Sequence, residues 1–249
     1  MYQKERMDNI MKLLDEYGYT TVKFLCKELG YSTATINRDL NLMEKQKQVL
    51  RTYGGVERVE SKYVPIPFRY HKMKTVKNKM GKIAAELVND GDTIFIDAST
   101  TAEYMVKHLT GKKGITVITN NISIITYLSE WNINLICLGG KMCEPPSMLG
   151  GTDTVENAMR YKADKMFFST LAISREGIIG SSDVYYLMHK VMAENSKEVY
   201  YMADHEKIDA QAQKVIFTLD DITGVITDYI FSGETKNKYK NTFFIEVTE

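Results

Sequence analysis

Cysteine is nearly missing from this chain, net charge is missing altogether, and no apolar run is long. The three cysteines, Cys26, Cys137 and Cys143, have neither metal-ligand spacing nor a disulfide-like pattern, which excludes a disulfide framework and a cysteine-based metal centre. Cys26 and Cys137 sit in apolar runs, so the thiols are expected to be reduced and mostly buried. No stretch approaches the roughly 20 apolar residues of a membrane-spanning helix. The opening MYQKERMDNI has no apolar segment of the signal-peptide kind, so the expected location is cytoplasmic. Lys plus Arg equals Asp plus Glu at 32 each, a balance that taken alone argues against a nucleic-acid partner. At 249 residues, the chain has room for one small and one medium domain, each with its own core.

The charge is unevenly spread. Residues 1–60 carry 10 Lys/Arg against 9 Asp/Glu, and residues 61–82 carry 7 against none, so the front is +8 and the remainder −8. A basic front with an acidic back fits a DNA reader joined to a domain that avoids DNA. A basic linker on an unremarkable protein would give the same sums. Within 61–74, Pro65 and Pro67 forbid a regular helix and the lysines discourage collapse. This stretch is expected to be a linker between domains at 1–60 and 75–249, and its basic residues either touch phosphate or are simply solvated.

The front holds the most informative pattern, TVKFLCKELGYSTATINRDLNLMEKQKQVLRTYGG. Ser32 is placed to cap a helix running to about Lys47. Ile36, Leu40 and Met43 recur at i, i+4, i+7 and share a buried face, which leaves Thr33, Thr35, Asn37, Arg38 and Asn41 pointing elsewhere. These are side chains suited to base edges and phosphates. The preceding helix, 22–29, turns Val22, Leu25 and Leu29 inward, and Gly30 permits a left-handed turn between the two. An earlier helix, 3–16, has Ile10, Leu13, Leu14 and Tyr17 at helical spacing and Gly18 as a stop. Residues 49–52 and 56–59 flank Tyr53-Gly54-Gly55 as a hairpin wing, with Arg51 near a phosphate backbone. An ordinary helical hairpin with a solvated polar face would show much of the same pattern.

These residues resemble the DeoR-type bacterial transcription regulators. That family's signature has a Ser, then Thr-Ile-Arg-Arg-Asp-Leu, then an Arg ahead of His-Gly-Gly. The chain has Ser32, Thr35-Ile36-Asn37-Arg38-Asp39-Leu40, Arg51 and Tyr53-Gly54-Gly55. Asn37 stands for the first arginine of the pair and Tyr53 for the histidine. Asn37 retains the capacity for a bidentate contact to adenine but gives up a charge. The resemblance implies DNA contact by Ser32, Thr33, Thr35, Asn37, Arg38, Asn41, Arg51 and Tyr53.

From Val76 onward, amphipathic stretches at 83–88, 102–109, 122–131 and 186–194 alternate with six β-branched runs at 93–97, 116–119, 135–138, 165–169, 199–202 and 225–227. Such alternation predicts a Rossmann-like, mainly parallel α/β domain covered on both faces. The expected fold class is α/β, an N-terminal winged helix-turn-helix joined to that domain. Ligands in such sheets sit beyond the carboxyl ends of strands. Four strand ends carry suitable residues: Asp97-Ala98-Ser99-Thr100-Thr101, Thr119-Asn120-Asn121, Gly139-Gly140-Lys141 and Asp204-His205-Glu206-Lys207. Each has a plainer account, helix capping by Ser99 or Thr100 and a simple Gly-Gly turn among them. Their convergence carries the expectation.

This half is similar to the DeoR-type sensor domain, itself similar in fold to ribose-5-phosphate isomerase, glucosamine-6-phosphate deaminase and CoA transferases. The matching pieces are Ile83-Ala84, Gly91-Asp92, Asp97 with Thr100-Thr101, Thr119-Asn120, Gly139-Gly140, Gly150, Gly177 and Asp204 with Lys207. The resemblance implies a phosphorylated sugar as effector, its phosphate at Thr100-Thr101 and its hydroxyls near Asn120, Asp204 and Lys207. The full expected set is Asp97, Ser99, Thr100, Thr101, Asn120, Gly139, Gly140, Lys141, Asp204 and Lys207. Three departures stand out: Ser99 replaces a glycine, His189 a lysine and Tyr185 a glutamate. They leave open a different ligand or a weaker one.

The expected function is a sequence-specific repressor of carbohydrate-metabolism genes acting as a homodimer or homotetramer, although a helix-turn-helix can also activate. No cofactor, metal or catalytic residue is expected. The alternative is a sugar-phosphate isomerase or deaminase tethered to DNA, for which Asp97, Glu103, Asp204 and His205 are available by type. A third possibility is a DNA-binding scaffold with no effector.

Overall fold

The computed structural model describes residues 3–17, 19–45, 48–52, 55–58, 72–143, 147–212 and 214–247. It divides into two compact units, Met1–Lys72 and Met73–Glu249.

The first unit contains α1 (Gln3–Tyr17), β1 (Tyr19–Thr20), α2 (Val22–Leu29), α3 (Thr33–Lys45), β2 (Val49–Thr52) and β3 (Gly55–Arg58). The three strands form an antiparallel sheet in the order β1-β3-β2. Thr21 caps α2 by accepting from the Phe24 amide at 3.1 Å, and Ser32 accepts from the Thr35 amide at 3.3 Å at the start of α3. Both leave their hydroxyls where first-turn amides would otherwise lack partners. Gly30 closes α2 at φ +71°, the left-handed conformation its position calls for. Ile10, Leu14, Leu25, Ile36, Leu40, Met43, Val49 and Val56 form the core. Tyr17, at helical spacing with Ile10 and Leu14, is instead 54 % exposed, its ring edge-on to Phe24 at 5.3 Å. It is the last residue of its helix, beyond the reach of the other two. Gly18, Gln46, Lys47, Tyr53, Gly54, Val59 and the stretch 59–71, which includes most of the expected linker, lie outside the described residues.

In the second unit α4 (Lys74–Glu86) precedes β4 (Thr93–Ile96), α5 (Thr100–Glu103), β5 (Thr116–Thr119), α6 (Ile122–Leu128) and β6 (Asn134–Cys137). Then come β7 (Lys141–Cys143), β8 (Met148–Gly150), α7 (Thr152–Met159), β9 (Ala163–Phe168), β10 (Ala172–Ile173), β11 (Ile178–Ser181) and α8 (Asp183–Glu194). The chain finishes with β12 (Ser196–Ala203), β13 (Lys214–Thr218), β14 (Gly224–Thr227), α9 (Gly233–Lys238) and β15 (Phe243–Glu246). Seven strands pair in the order β15-β14-β12-β9-β4-β5-β6, and every neighbouring pair is parallel. Alternate residues feed two cores, as a period of two demands. Phe95, Met166, Phe168, Tyr201 and Val225 face one side, while Ile94, Ile96, Phe167, Tyr200, Met202 and Ile226 face the other. The sheet is therefore covered on both faces.

Several details depart from the sequence expectation. The helix expected at 83–88 begins nine residues earlier, at Lys74, because four lysines of the basic run belong to α4 and one of them, Lys77, is 3 % exposed. Residues 102–109 divide into the short α5 and a 3-10 turn at Val106–His108. β15, the edge strand, and the antiparallel set β10-β11-β13 were not foreseen. Cys137, expected to be mostly buried, is exposed because it ends β6, the other edge strand, and all three thiols are free.

Candidate nucleic-acid interface and ligand site

Along α3, the side chains expected to face DNA do lie off the core: Ser32, Thr33, Arg38 and Asn41 are exposed, and Thr35 and Asn37 half-buried. Arg51 reaches from β2 to this face. Its guanidinium donates to Asn37 Oδ1 at 2.6 Å and to Asn41 Oδ1, and its amide donates to Glu44 at 3.2 Å. The two asparagines are one turn apart, so a single planar guanidinium spans them. Tyr53 lies outside the described residues.

Asp39, on the same helix, points the other way and is fully buried. Arg6 of α1 donates to it twice, through Nε and through Nη2 at 2.9 Å, and Gln3 donates at 3.1 Å. Burial opposes ionisation of Asp39, but the Arg6 and Gln3 hydrogen bonds and the Arg6 charge together outweigh it and hold its carboxyl below the ordinary value. Its role is to lock α1 onto α3. The mixed spacing of a heptad-like stripe hides such a residue, since polar type alone places it outside.

In the second unit, Asp97 follows β4 and is 2 % exposed. Ser99 Oγ donates to its Oδ1 at 2.5 Å, His189 Nε2 donates to its Oδ2 at 3.0 Å, and the Ser169 amide donates to Oδ2 at 3.4 Å. Tyr185 stacks on the His189 ring with centroids 6.1 Å apart. Thus Ser99 and His189, 90 positions apart in sequence, meet on one carboxylate, and Tyr185 covers the His189 ring. Ser99 also caps α5, accepting from the Ala102 amide at 3.1 Å. Thr100 and Thr101 are buried beside it, and Lys77, from α4, donates to Thr100 Oγ1 at 3.2 Å. Glu103 sits near by, its carboxyl raised by burial, with the Asn121 hydrogen bond and the Lys77 charge acting in the opposite sense.

Register continues the site along the sheet. Ile96 pairs with Thr119 on one side and Phe167 on the other, so Asp97 lies between Asn120 and the end of β9. Asn120 donates to the Leu149 carbonyl at 2.8 Å, and Asn121 caps α6. Asp204 is buried beyond β12, and Lys207 Nζ donates to the Thr170 carbonyl at 2.6 Å. These expected residues fall on neighbouring strand ends. Gly139, Gly140 and Lys141 follow the edge strand β6, where Lys141 is exposed. At Gly140, φ is +107°, and a Cβ would stand 1.9 Å from Thr154 Oγ1 and 2.8 Å from the Gly150 carbonyl. The close approach it permits is to α7 and β8. Gly140→Ala is accordingly expected to lower stability by about 3 kcal/mol, from strain at a position that β-carbons reject, measured as a shift of the denaturant midpoint followed by Trp131 fluorescence.

Lys77 and Ser169 were not foreseen as site residues. Ser169 ends a predicted strand and matched the pattern used at the other strand ends, whereas Lys77 was hidden inside a run of lysines. Farther along, a cleft of about 480 Å³ opens at the ends of β12, β14 and β15, with Val76, Lys79, His205, Asp228 and Ile230 in its wall. There His205 Nδ1 pairs with Asp228 at 2.5 Å, and that hydrogen bond raises the imidazole above its ordinary value. Among the described residues, no group of His, Cys, Asp and Glu could hold a metal ion, and no helix is long and apolar enough to cross a membrane.

Residues 6–62 match the DeoR-like helix-turn-helix domain, and residues 72–229 match the DeoR C terminal sensor domain. The chain belongs to the DeoR family. Among DeoR-family relatives, it is 33 % identical to the HTH-type transcriptional repressor GlcR of Bacillus subtilis, over 92 % of this chain and 89 % of that protein. It is 31 % identical to the lactose phosphotransferase system repressor of Lactococcus lactis, over 84 % of each. Among solved structures, ribose 5 phosphate isomerase A from Neisseria gonorrhoeae is similar at a TM-score of 0.40 and 14 % identity, covering 54 % of this chain and 53 % of that one. The DeoR-family assignment makes this chain a transcription regulator with a DNA-binding front and a sensor behind it.

Proposed function

We propose that this regulator represses carbohydrate-metabolism genes and that a phosphorylated sugar, held at the carboxyl ends of β4, β5, β9 and β12, controls its hold on DNA. One contrast within the sheet carries the ligand reading. At the amino ends, charges are paired, Lys165 with Asp92 at 2.6 Å and Lys197 with Asp164 at 2.7 Å. At the carboxyl ends, Asn120 Oδ1, Ser169 Oγ and His189 Nδ1 are buried with no hydrogen-bond partner among the described residues. Buried polar atoms normally have partners, and three without them around one carboxylate support a ligand that supplies them. The phosphate is assigned to Thr100, Thr101 and Lys77. Ser99, Asp97, Asn120, Asp204 and Lys207 are assigned to the rest of the sugar, and Gly139, Gly140 and Lys141 to the outer edge of the pocket. Relatives named as repressors, one of a lactose phosphotransferase system, support repression and the gene class.

On the DNA side, α3 enters the major groove, with Ser32, Thr33, Thr35, Asn37, Arg38 and Asn41 against bases and phosphates and Arg51 beside them, and Tyr53 is assigned to the same contact set. The protein acts as a homodimer or homotetramer on a palindromic site, a state that light scattering on the purified protein measures. The effector binds one state of the oligomer better than the other, which is the only way it can shift the balance. Arg38→Ala is expected to weaken operator binding about tenfold, since a good base contact contributes about 1–3 kcal/mol. Fluorescence anisotropy over a salt series checks this, and unchanged affinity would remove Arg38 from the contact set.

Asp97 is engaged by three donors, which supports a positioning role over that of a free base. Incubation with ribose 5-phosphate and glucosamine 6-phosphate is therefore expected to yield no protein-dependent product. The test of the whole proposal is operator binding by the purified protein with and without sugar phosphates, on promoter DNA found by genome-wide mapping. Operator binding unaffected by any of them would leave a regulator without this effector.

A further inference from the structure

We propose that the part of the pocket around Asp97 recognises uncharged hydroxyl groups, so that the effector is a sugar monophosphate and is neither a bisphosphate nor a phosphorylated sugar acid. This rests on the sugar-phosphate reading above and specifies the far end of the same ligand.

Four side-chain atoms of the second unit are buried without a hydrogen-bond partner among the described residues: Asn120 Oδ1, Ser169 Oγ, Ser182 Oγ and His189 Nδ1. Their residues are between 2 % and 8 % exposed. Asn120 cannot turn its amide to escape, because its nitrogen is committed to the Leu149 carbonyl at 2.8 Å. Its oxygen therefore needs a donor. His189 is held through Nε2 by Asp97 at 3.0 Å, which presents Nδ1 as the unmet atom. Ser182 and His189 lie seven residues apart at the start and middle of α8, two turns along one face. Strand register sets Asn120 on one side of Asp97 and Ser169 on the other.

A hydroxyl both donates and accepts, so it satisfies an amide oxygen, a serine hydroxyl or an imidazole nitrogen whichever proton the ring carries. A second phosphate or a carboxylate only accepts. It would offer nothing to Asn120 Oδ1 and would bring a second anion toward the buried Asp97, where like charges repel strongly. The chemistry that fits all four atoms is a polyol chain or ring.

Calorimetric titration of the intact protein tests this with fructose 6-phosphate and ribose 5-phosphate against fructose 1,6-bisphosphate and 6-phosphogluconate, and inorganic phosphate as the common fragment. At least one monophosphate is expected to bind about 30-fold or more tighter than either the bisphosphate or the acid. His189→Lys, which supplies a cation beside Asp97, is expected to shrink that preference at least tenfold. Ser169→Ala is the second variant. It is expected to raise the unfolding temperature of the ligand-free protein, since an unmet polar group is removed, while weakening monophosphate binding about fivefold. A merely structural serine would not move the two readouts in opposite directions. Equal or tighter binding of the bisphosphate or the acid overturns the inference and leaves the sugar-phosphate reading standing. Binding of no member of the panel overturns both.

Discussion

Arg6→Ala is expected to abolish operator binding without touching any residue on the side of α3 proposed to meet DNA. Removing Arg6 leaves the Asp39 carboxylate fully buried with Gln3 as its remaining side-chain partner, and uncovering one member of a buried ion pair costs about 3–5 kcal/mol. A unit of this size, with a core of eight fully buried apolar side chains, has a total stability of about 3–5 kcal/mol. The loss is comparable to the whole. Asp39→Ala should be milder, because the Arg6 side chain is 13 % exposed and can turn to water. Replacing both with apolar residues, as in Arg6→Met with Asp39→Leu, should restore the fold. The single tryptophan, Trp131, belongs to the second unit, so its unfolding transition should stay put in Arg6→Ala while amide protection in the first 58 residues collapses. A variant that keeps its affinity for the operator would show that the pair is dispensable.

The same unit has a signed pH dependence. Asp39 is held below its ordinary value, so its contribution is present above the unfolded carboxyl value near 3.9 and is lost as pH falls through the lower folded one. Glu57 behaves oppositely: burial raises its carboxyl, with the Lys72 charge opposing. Its contribution is present below the unfolded value and is lost as pH rises through the raised folded one. Stability of this unit is therefore expected to be greatest on the mildly acidic side of neutrality and to fall on stronger acidification.

The second large effect is expected from Lys77→Met, which should leave DNA binding intact and weaken the effector response about 100-fold. The ammonium is nearly enclosed and donates to Thr100 Oγ1 at 3.2 Å, at the place proposed for the phosphate. A hydrogen bond between charged partners contributes up to about 3 kcal/mol, and 100-fold is about 2.7 kcal/mol. Methionine keeps an unbranched stem of similar length and removes the charge together with its N–H donors. Release of labelled operator, titrated with the effector, reads the change directly. An unchanged midpoint would place the phosphate away from Thr100 and Thr101.

Much of this was legible beforehand because it is local. The cap Ser32, the left-handed Gly30, and the stripe of Ile36, Leu40 and Met43 each depend on residues within a few positions of one another. Six of the seven parallel strands were visible as β-branched runs for the same reason. β15 was not, since its FFIE follows a lysine-rich stretch and it becomes a strand only by pairing with β14. Lys77 was not singled out, because nothing local tells a buried ammonium from an exposed one. Likewise, the three departures at Ser99, Tyr185 and His189 were visible one by one, while the meeting of Ser99 and His189 on Asp97, with Tyr185 stacked on the imidazole, was not.

By itself, the order of residues determined the three helices and the hairpin of the front unit, the α/β alternation behind it and the polar character of the strand ends, all of which follow from periodicities of 3.6 and 2 and from turn chemistry over short spans. Which polar groups are buried, which are paired and which are left without partners was decided only by the tertiary structure. Those properties depend on side chains that chain topology brings together from far apart, as when strand pairing and the packing of α8 set His189 beside a carboxylate 92 residues earlier.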